Sequence, residues 1–206
     1  YDYLGFSEHN PSNSKHTSKD IIELLKRKRE ALEQLNSSSS RVNKLFIMNG
    51  LEIDIKPDGL LAIPEDGFDF LDYGIASIHS VFDLSREKMT ERVLKALVHP
   101  KIKIFGHPTG RLLEKREGYE LDWDKIFDFC QKNNKFLEIS AWPDRLDLPD
   151  TKVREAIKYG VKMIINSDSH SVDQMKLMGY GVSVARRGWA EKKDIINCLS
   201  LRELSD

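Results

Sequence analysis

Cysteine is nearly absent from this 206-residue chain: two residues, Cys130 and Cys198, stand far apart and form no C-x-x-C pair. That leaves no thiolate metal site and fits a reduced, cytoplasmic setting. Long hydrophobic runs are also missing. The longest apolar stretches span a few residues, far short of the roughly 18 needed to cross a bilayer, so no membrane span is expected. The N-terminus lacks the basic start, apolar stretch and small-residue cleavage site of a secretion signal. An excess of one charge is absent too, because 32 Lys and Arg face 33 Asp and Glu for a net charge of -1. Binding nucleic acid through bulk positive charge is thereby disfavoured, although a local basic site survives the arithmetic. No internal repeat is present. What the chain does hold is core material: 40% hydrophobic residues with three Trp and nine Phe, against 32% charged. This suffices for one folded domain over residues 1–206. The first residue is Tyr, and the chain is read as an excised, N-terminally truncated piece of something longer.

Strand-like apolar runs alternate with helix-period stretches, the pattern of a parallel α/β architecture. Strands are expected at 3–7, 44–49, 73–78, 103–105, 136–139 and 161–165, with a hairpin formed by 51–55, the turn Pro57-Asp58-Gly59 and 60–63. Helices are expected at 19–35, where Thr17 caps with Asp20 three residues on, and at 85–97 behind the N-cap Ser85. A third starts at Asp122 or Asp124 and runs to about 132, a fourth covers 151–159 and stops at Gly160, and short pieces lie at 194–198 and 201–204. The serine run 37–40 reads as a surface loop ending the first helix.

One regularity outweighs any single motif. His9, His79, His107 and the Asp168-x-His170 pair each follow the apolar core of a strand, and Glu52 lies within the hairpin strand. In α/β barrels and open parallel sheets the carboxyl ends of strands converge on one face, so these six residues would meet in one pocket. Imidazoles and carboxylates are ligands for zinc, manganese or iron, and a carboxylate such as Glu52 can bridge two ions, which predicts a multinuclear metal centre. Any one histidine after a strand is more often a hydrogen-bonded structural residue; the joint placement raises the odds. His16, in a polar loop, and His99, at a helix end before Pro100, are given no part in the site. Asp168 and His170 point the same way if their segment stays extended. Arg111, Arg116, Arg145, Arg186 and Arg187 lie in loops beside these residues, where a guanidinium grips phosphate bidentately. Singly, each reads equally well as a surface cation, and Arg111 and Arg145 are preferred as phosphate contacts. Trp142 and Trp189 are read as core first and as base-stacking platforms second.

These residues carry a resemblance. Glu8-His9, Gly50-Leu51-Glu52-Ile53-Asp54-Ile55, Ala76-Ser77-Ile78-His79-Ser80, Gly106-His107-Pro108-Thr109-Gly110-Arg111 and Ser167-Asp168-Ser169-His170 together resemble the polymerase and histidinol phosphatase (PHP) family of metal-dependent phosphoesterases, from end to end of the chain. His107 to Leu113, Asp144 to Asp150 and Ala185-Arg186-Arg187-Gly188-Trp189 are similar to the C-terminal PHP domain of bacterial and archaeal family X DNA polymerases.

The resemblance implies a distorted (β/α)7 barrel whose first strand, with a His-x-His motif and a further histidine after it, has no counterpart here, because Tyr1 begins at the second strand. It implies up to three divalent metal ions, manganese or zinc, or iron. Glu52 would bridge two ions, His79 and His107 would bind one of them and Asp168 the other, and His9 and His170 would share the third. Glu52, His79, His107 and Asp168 would then be the catalytic residues. The implied activity, assigned to the parent protein, is hydrolysis of phosphodiesters and phosphomonoesters at DNA 3' ends, as 3'-5' exonuclease and 3'-phosphatase in DNA repair. The implied partner is a polymerase domain upstream in the same chain. Two other readings stand beside it: a free-standing small-molecule phosphatase of the histidinol-phosphate type, and a non-catalytic scaffold for a neighbouring polymerase domain.

Overall fold

A computed structural model describes residues 2–38 and 45–205 of the chain. Six strands pair in chain order: β1 (Tyr3–His9), β2 (Phe46–Asp54), β3 (Tyr73–Ser77), β4 (Ile102–Phe105), β5 (Phe136–Ser140) and β6 (Met163–Asn166). Every neighbouring pair is parallel. The connections are α1 (Ser18–Ser38), a 3-10 turn over Glu65–Phe70, α2 (Arg86–Leu97), α3 (Trp123–Lys132) and α4 (Asp150–Tyr159), while α5 (Met178–Arg187) and α6 (Leu201–Ser205) follow β6. Consecutive parallel strands with helical crossovers curl the sheet into a half-barrel flanked by helices. Its two ends are linked: a single parallel bridge joins Met163 of β6 to Ile195, and the Tyr3 hydroxyl of β1 donates to the Leu199 carbonyl at 2.9 Å.

The helix starts follow their local chemistry. The Asp20 carboxylate accepts from the Thr17 amide at 2.8 Å and from its hydroxyl at 2.7 Å, and Ser85 and Asp122 accept from the amides of Lys88 and Lys125. Gly160 ends α4 with φ of 75°, a conformation that costs glycine least. Apart from Lys44, Ser39 and Ser40, which lie outside the described residues, the expected strands and longer helices form close to their expected bounds, whereas the piece expected at 194–198 is two 3-10 turns, Lys192–Asp194 and Ile196–Cys198, with Ile195 extended between them. Ser37 and Ser38 extend α1 instead of starting a loop.

Two expectations need correction. β2 is one nine-residue parallel strand, and Glu52 sits in its interior rather than in a hairpin. The hairpin return reduces to one antiparallel bridge, Ile55 to Leu61. Gly50 invites a break in the sequence, yet its missing side chain serves packing: a Cβ there would lie 2.3 Å from the Tyr73 ring, and one at Gly5 2.3 Å from the Tyr73 hydroxyl. Tyr73 therefore fills the barrel interior below the carboxyl ends of β1 and β2, where burial pushes its hydroxyl up to about 12. The second correction is α5, a helix absent from the sequence reading because glycine and β-branched valine disfavour it. Tertiary packing supplies what propensity lacks, since Gly181 lets α5 press against Ile165 and Ala141.

Strand periodicity separates core from site. Leu51, Ile53 and Ile55 of the β2 segment are fully buried and join Ile21 and Leu25 of α1 in the core. Each such side chain contributes about 1.5–3 kcal/mol on burial. Glu52 and Asp54 alternate with them and take the other face.

Candidate metal centre

Parallel register does the first part of the assembly. His9 at the end of β1 lies opposite Glu52, and Asp54 at the end of β2 lies opposite Ser77, two residues before His79. His107 follows two residues after the end of β4. The side chains interlock: Glu52 Oε1 lies 3.1 Å from His107 Nε2 and 3.4 Å from His79 Nε2. Asp54 Oδ1 lies 2.6 Å from His79 Nδ1 and 3.4 Å from His9 Nε2. Two groups each offer three ligand atoms within 4.8 Å of one another: Glu52, His79 and His107, and His9, Asp54 and His79. Asp54 escaped the sequence reading, although its place two residues after Glu52 on one strand put it on the same face.

The electrostatics follow from this alternation of acid and imidazole. Burial alone would raise the Glu52 and Asp54 carboxyls, but hydrogen bonds from His107 and His79 to the first, and from His79 and His9 to the second, hold both well below the ordinary carboxylate range. Burial works against a charged His79, yet Asp54 and Glu52 bring it up to about 9. The hydrogen bond to Asp54 raises His9 as well.

Buried polar groups hold the loops that carry these side chains. The Arg92 guanidinium of α2 donates to the carbonyls of Lys56 and Val81 at 2.9 Å each, and also to that of Ile55, tying the loop after β2 to the loop after His79. Asn10 Oδ1 accepts from the Asp54 amide at 2.8 Å. His107 sits at φ of 29°, a positive value uncommon for residues other than glycine. Glu138 of β5, almost fully buried, accepts the His107 amide at 2.6 Å and the Asn166 side chain at 2.7 Å. Burial pushes the Glu138 carboxyl up to about 7. Buried Asp147 accepts the Thr109 amide at 3.1 Å, so two acids from one strand and its following loop clamp the His107 turn.

The residues after β6 are arranged differently. Asp168 has φ of 53°, so the segment is turned rather than extended and does not line up Asp168 with His170. Burial and the Glu52 charge raise the Asp168 carboxyl, and the Arg145 guanidinium stands 3.9 Å away. His170 Nδ1 lies 2.9 Å from the Asp168 carbonyl, and its ring meets Trp142 edge-on at 5.9 Å. Neither Asp168 nor His170 joins a three-ligand group among the described residues. Trp142 is thus a half-buried neighbour of the site and Trp189 is 70% exposed, which corrects the reading of both as core.

Arg145 faces the site, whereas Arg111 donates through Nε to the Arg145 carbonyl at 2.9 Å and through its terminal nitrogen to the Leu146 carbonyl. In this arrangement Arg111 braces the loop that presents Arg145. Arg116 donates to the Gly110 carbonyl at 2.8 Å and stacks over Phe82. His99 lies apart, stacked on Phe68 at 3.8 Å with Glu65 at 3.1 Å.

The donor set fits divalent cations. Two depressed carboxylates concentrate negative charge among imidazoles, and the atoms they offer together with His79 and His107, or His79 and His9, lie within 4.8 Å of one another.

Comparison with known proteins gives consistent relatives. The chain is 35% identical over 204 residues to the DNA polymerase/3'-5' exonuclease PolX of Bacillus subtilis, covering 99% of this chain and 35% of that protein. It is 33% identical over 145 residues to a probable phosphatase of Clostridium acetobutylicum, covering 66% of this chain and 57% of the relative. A probable phosphatase of Thermoanaerobacter sp. is 29% identical over 140 residues, 63% of this chain and 55% of its own length. The chain therefore spans about a third of the polymerase and little more than half of the phosphatases. No family model matches it.

Proposed function

The chain is a PHP-like domain of the type found in family X DNA polymerases, and on that premise we propose that it is a metal-dependent phosphoesterase acting at DNA 3' ends, as 3'-5' exonuclease and 3'-phosphatase in DNA repair. The observation that carries the reading is the convergence of Glu52, His79 and His107, whose ligand atoms lie within 4.8 Å of one another. The match to PolX over 99% of this chain, at higher identity than to the phosphatases, supports DNA over a small phosphate ester.

Glu52, His79 and His107 would hold one ion; Glu52 with Asp168 would hold a second; His9 and His170 would share a third, with Asp54 in reach of His9. Manganese and zinc suit this set of nitrogen and oxygen donors, as does iron. A divalent cation held there supplies Lewis acidity, polarising phosphate oxygens and making water nucleophilic at neutral pH. The chain's own groups do the rest. Arg145 supplies a guanidinium to the phosphate, with Arg111 bracing its loop. A cleft lined by His9, Asn10, Asp54, Lys56 and Ser80 leaves room beside the donors for the rest of the substrate. Glu138 and Asp147 keep the His107 turn in place while the substrate binds and leaves.

The test is manganese-dependent phosphate release from a 3'-phosphorylated oligonucleotide, with metal per chain measured in parallel. His107→Ala should lower turnover by about a hundredfold or more and remove metal from the group it shares with Glu52 and His79. Unchanged turnover would overturn the assignment.

A further inference from the structure

The segment Arg186-Arg187-Gly188-Trp189 takes no part in the metal centre, and its geometry presents an exposed, ordered aromatic. Gly188 packs so tightly on α4 that a Cβ would fall 2.3 Å from the Val153 side chain. The chain then turns at Trp189, with φ of 67°, and sends the indole outward, 70% exposed. The Arg154 guanidinium of α4 stacks on the ring at 3.8 Å and also donates to the Arg187 carbonyl at 3.5 Å. Arg187 pairs with Asp150 at 3.0 Å while its side chain stays 75% exposed, and Arg186 is exposed with no ion-pair partner among the described residues. Tyr180, 53% exposed, stands two turns earlier on α5. Charge is uneven here: between residues 176 and 193 Lys176, Arg186, Arg187, Lys192 and Lys193 face the single acid Glu191, in a chain with a net charge of -1.

We infer that α5 and the Arg–Trp turn after it form a second binding strip for a single strand of nucleic acid, with Trp189 stacking on a base and Arg154, Arg186 and Arg187 meeting phosphates. This rests on the reading of the domain as a DNA phosphoesterase. The strip is continuous in the chain with the metal centre: the loop of Asp168 and His170 runs through the turn Val172–Leu177 into α5. At ten residues, α5 extends about 15 Å, room for several nucleotides beyond the scissile ester. An indole held by a backbone turn and a stacked guanidinium loses little freedom when a base settles on it, and base stacking on an aromatic contributes about 1–3 kcal/mol. The cluster of cations favours a polyanion over an apolar protein surface as the occupant.

The experiment titrates the metal-free chain in chelator with a fluorescein-labelled oligothymidylate. Trp189→Ala and Arg186→Glu should each weaken binding by about tenfold, Trp189→Phe should keep most of the affinity, and Arg186→Glu should also flatten the salt dependence. With manganese present, Trp189→Ala should raise KM for the oligonucleotide and leave hydrolysis of a nitrophenyl phosphate ester unchanged, which also reports an intact fold. Unaltered oligonucleotide affinity in both variants would overturn the strip. So would absent affinity in the parent chain, which would give the patch to a protein contact. Absent hydrolysis by the parent chain with any divalent metal, alongside intact Trp189-dependent binding, would sink the phosphoesterase reading and leave the strip standing.

Discussion

The carboxyl ends of β1 to β4 and the segment after β6 carry the same kinds of side chain, yet they arrive in different states. His9, Glu52, Asp54, His79 and His107 already interlock as alternating acids and imidazoles, whereas Asp168 and His170 sit on a left-handed turn without joining a three-ligand group. Hydrogen-bonded register delivers His9, Glu52 and Asp54, because parallel pairing fixes His9 opposite Glu52 and Asp54 opposite Ser77, while His79 and His107 stand two residues past β3 and β4 in loops held by Arg92, Glu138 and Asp147. Loop conformation delivers Asp168 and His170, and no ladder constrains them. The lesson is that strand register, together with loops clamped by buried polar side chains as at His107, preorganises a site more firmly than a loop turn alone.

The sharpest way to break this comparison is to remove one carboxylate from each region. Glu52→Gln should cost about a thousandfold in manganese affinity, beyond the 10–100-fold typical of supporting residues, while Asp168→Asn should stay within about tenfold. Calorimetric titration reads both, and an equal or greater loss for Asp168→Asn would reverse the ranking of the two regions.

A second effect, of about 3 kcal/mol, belongs to the interlocked region alone. In the metal-free protein His79 is held up to about 9 by Asp54 and Glu52, against an ordinary value of 6.5. Folding therefore gains from the imidazolium fully below pH 6.5 and loses that gain as pH rises through about 9. Urea unfolding of the metal-free chain should show this alkaline decline, and His79→Gln should flatten it; the same slope in both proteins would show that the alternation of charge does not stabilise the fold.

The smallest effect probes the clamp behind the interlocked region. Glu138→Gln places an amide where two donors, the His107 amide and the Asn166 side chain, need acceptors, and should cost about 1–3 kcal/mol. Because Glu138 is pushed up to about 7 by burial, its contribution to stability is complete below about pH 4.5 and is lost as pH rises through about 7. The variant should lack that slope in thermal melts. A slope retained in full would transfer it to another buried acid, with Asp147 next in line.

Much of this was legible before any coordinates. The strand and helix order, the caps at Thr17, Ser85 and Asp122, and the histidines placed after strands follow from periodicity and local hydrogen bonding, which act over a few residues. Asp54 was legible in principle, because the expected strand 51–55 puts it on the same face as Glu52, but only the contacts with His79 and His9 mark it as a donor. The gap between the expected strands 44–49 and 51–55 falls at Gly50, which answers to Tyr73, more than twenty residues away. Glu138, Asp147 and Arg92 were invisible for the same reason: a buried polar residue looks like any other until its partner is in place.

By itself, then, the sequence determined the parallel α/β class, the crossover order and the kind of chemistry gathered at the strand ends, since these rest on patterns that repeat locally. Tertiary structure alone decided which donors touch, that Arg111 braces a loop while Arg145 faces Asp168, that the segment at Asp168 turns, and that Trp189 stands in solvent. Those outcomes depend on contacts between residues far apart in the chain, whose energies exist only once the sheet has curled.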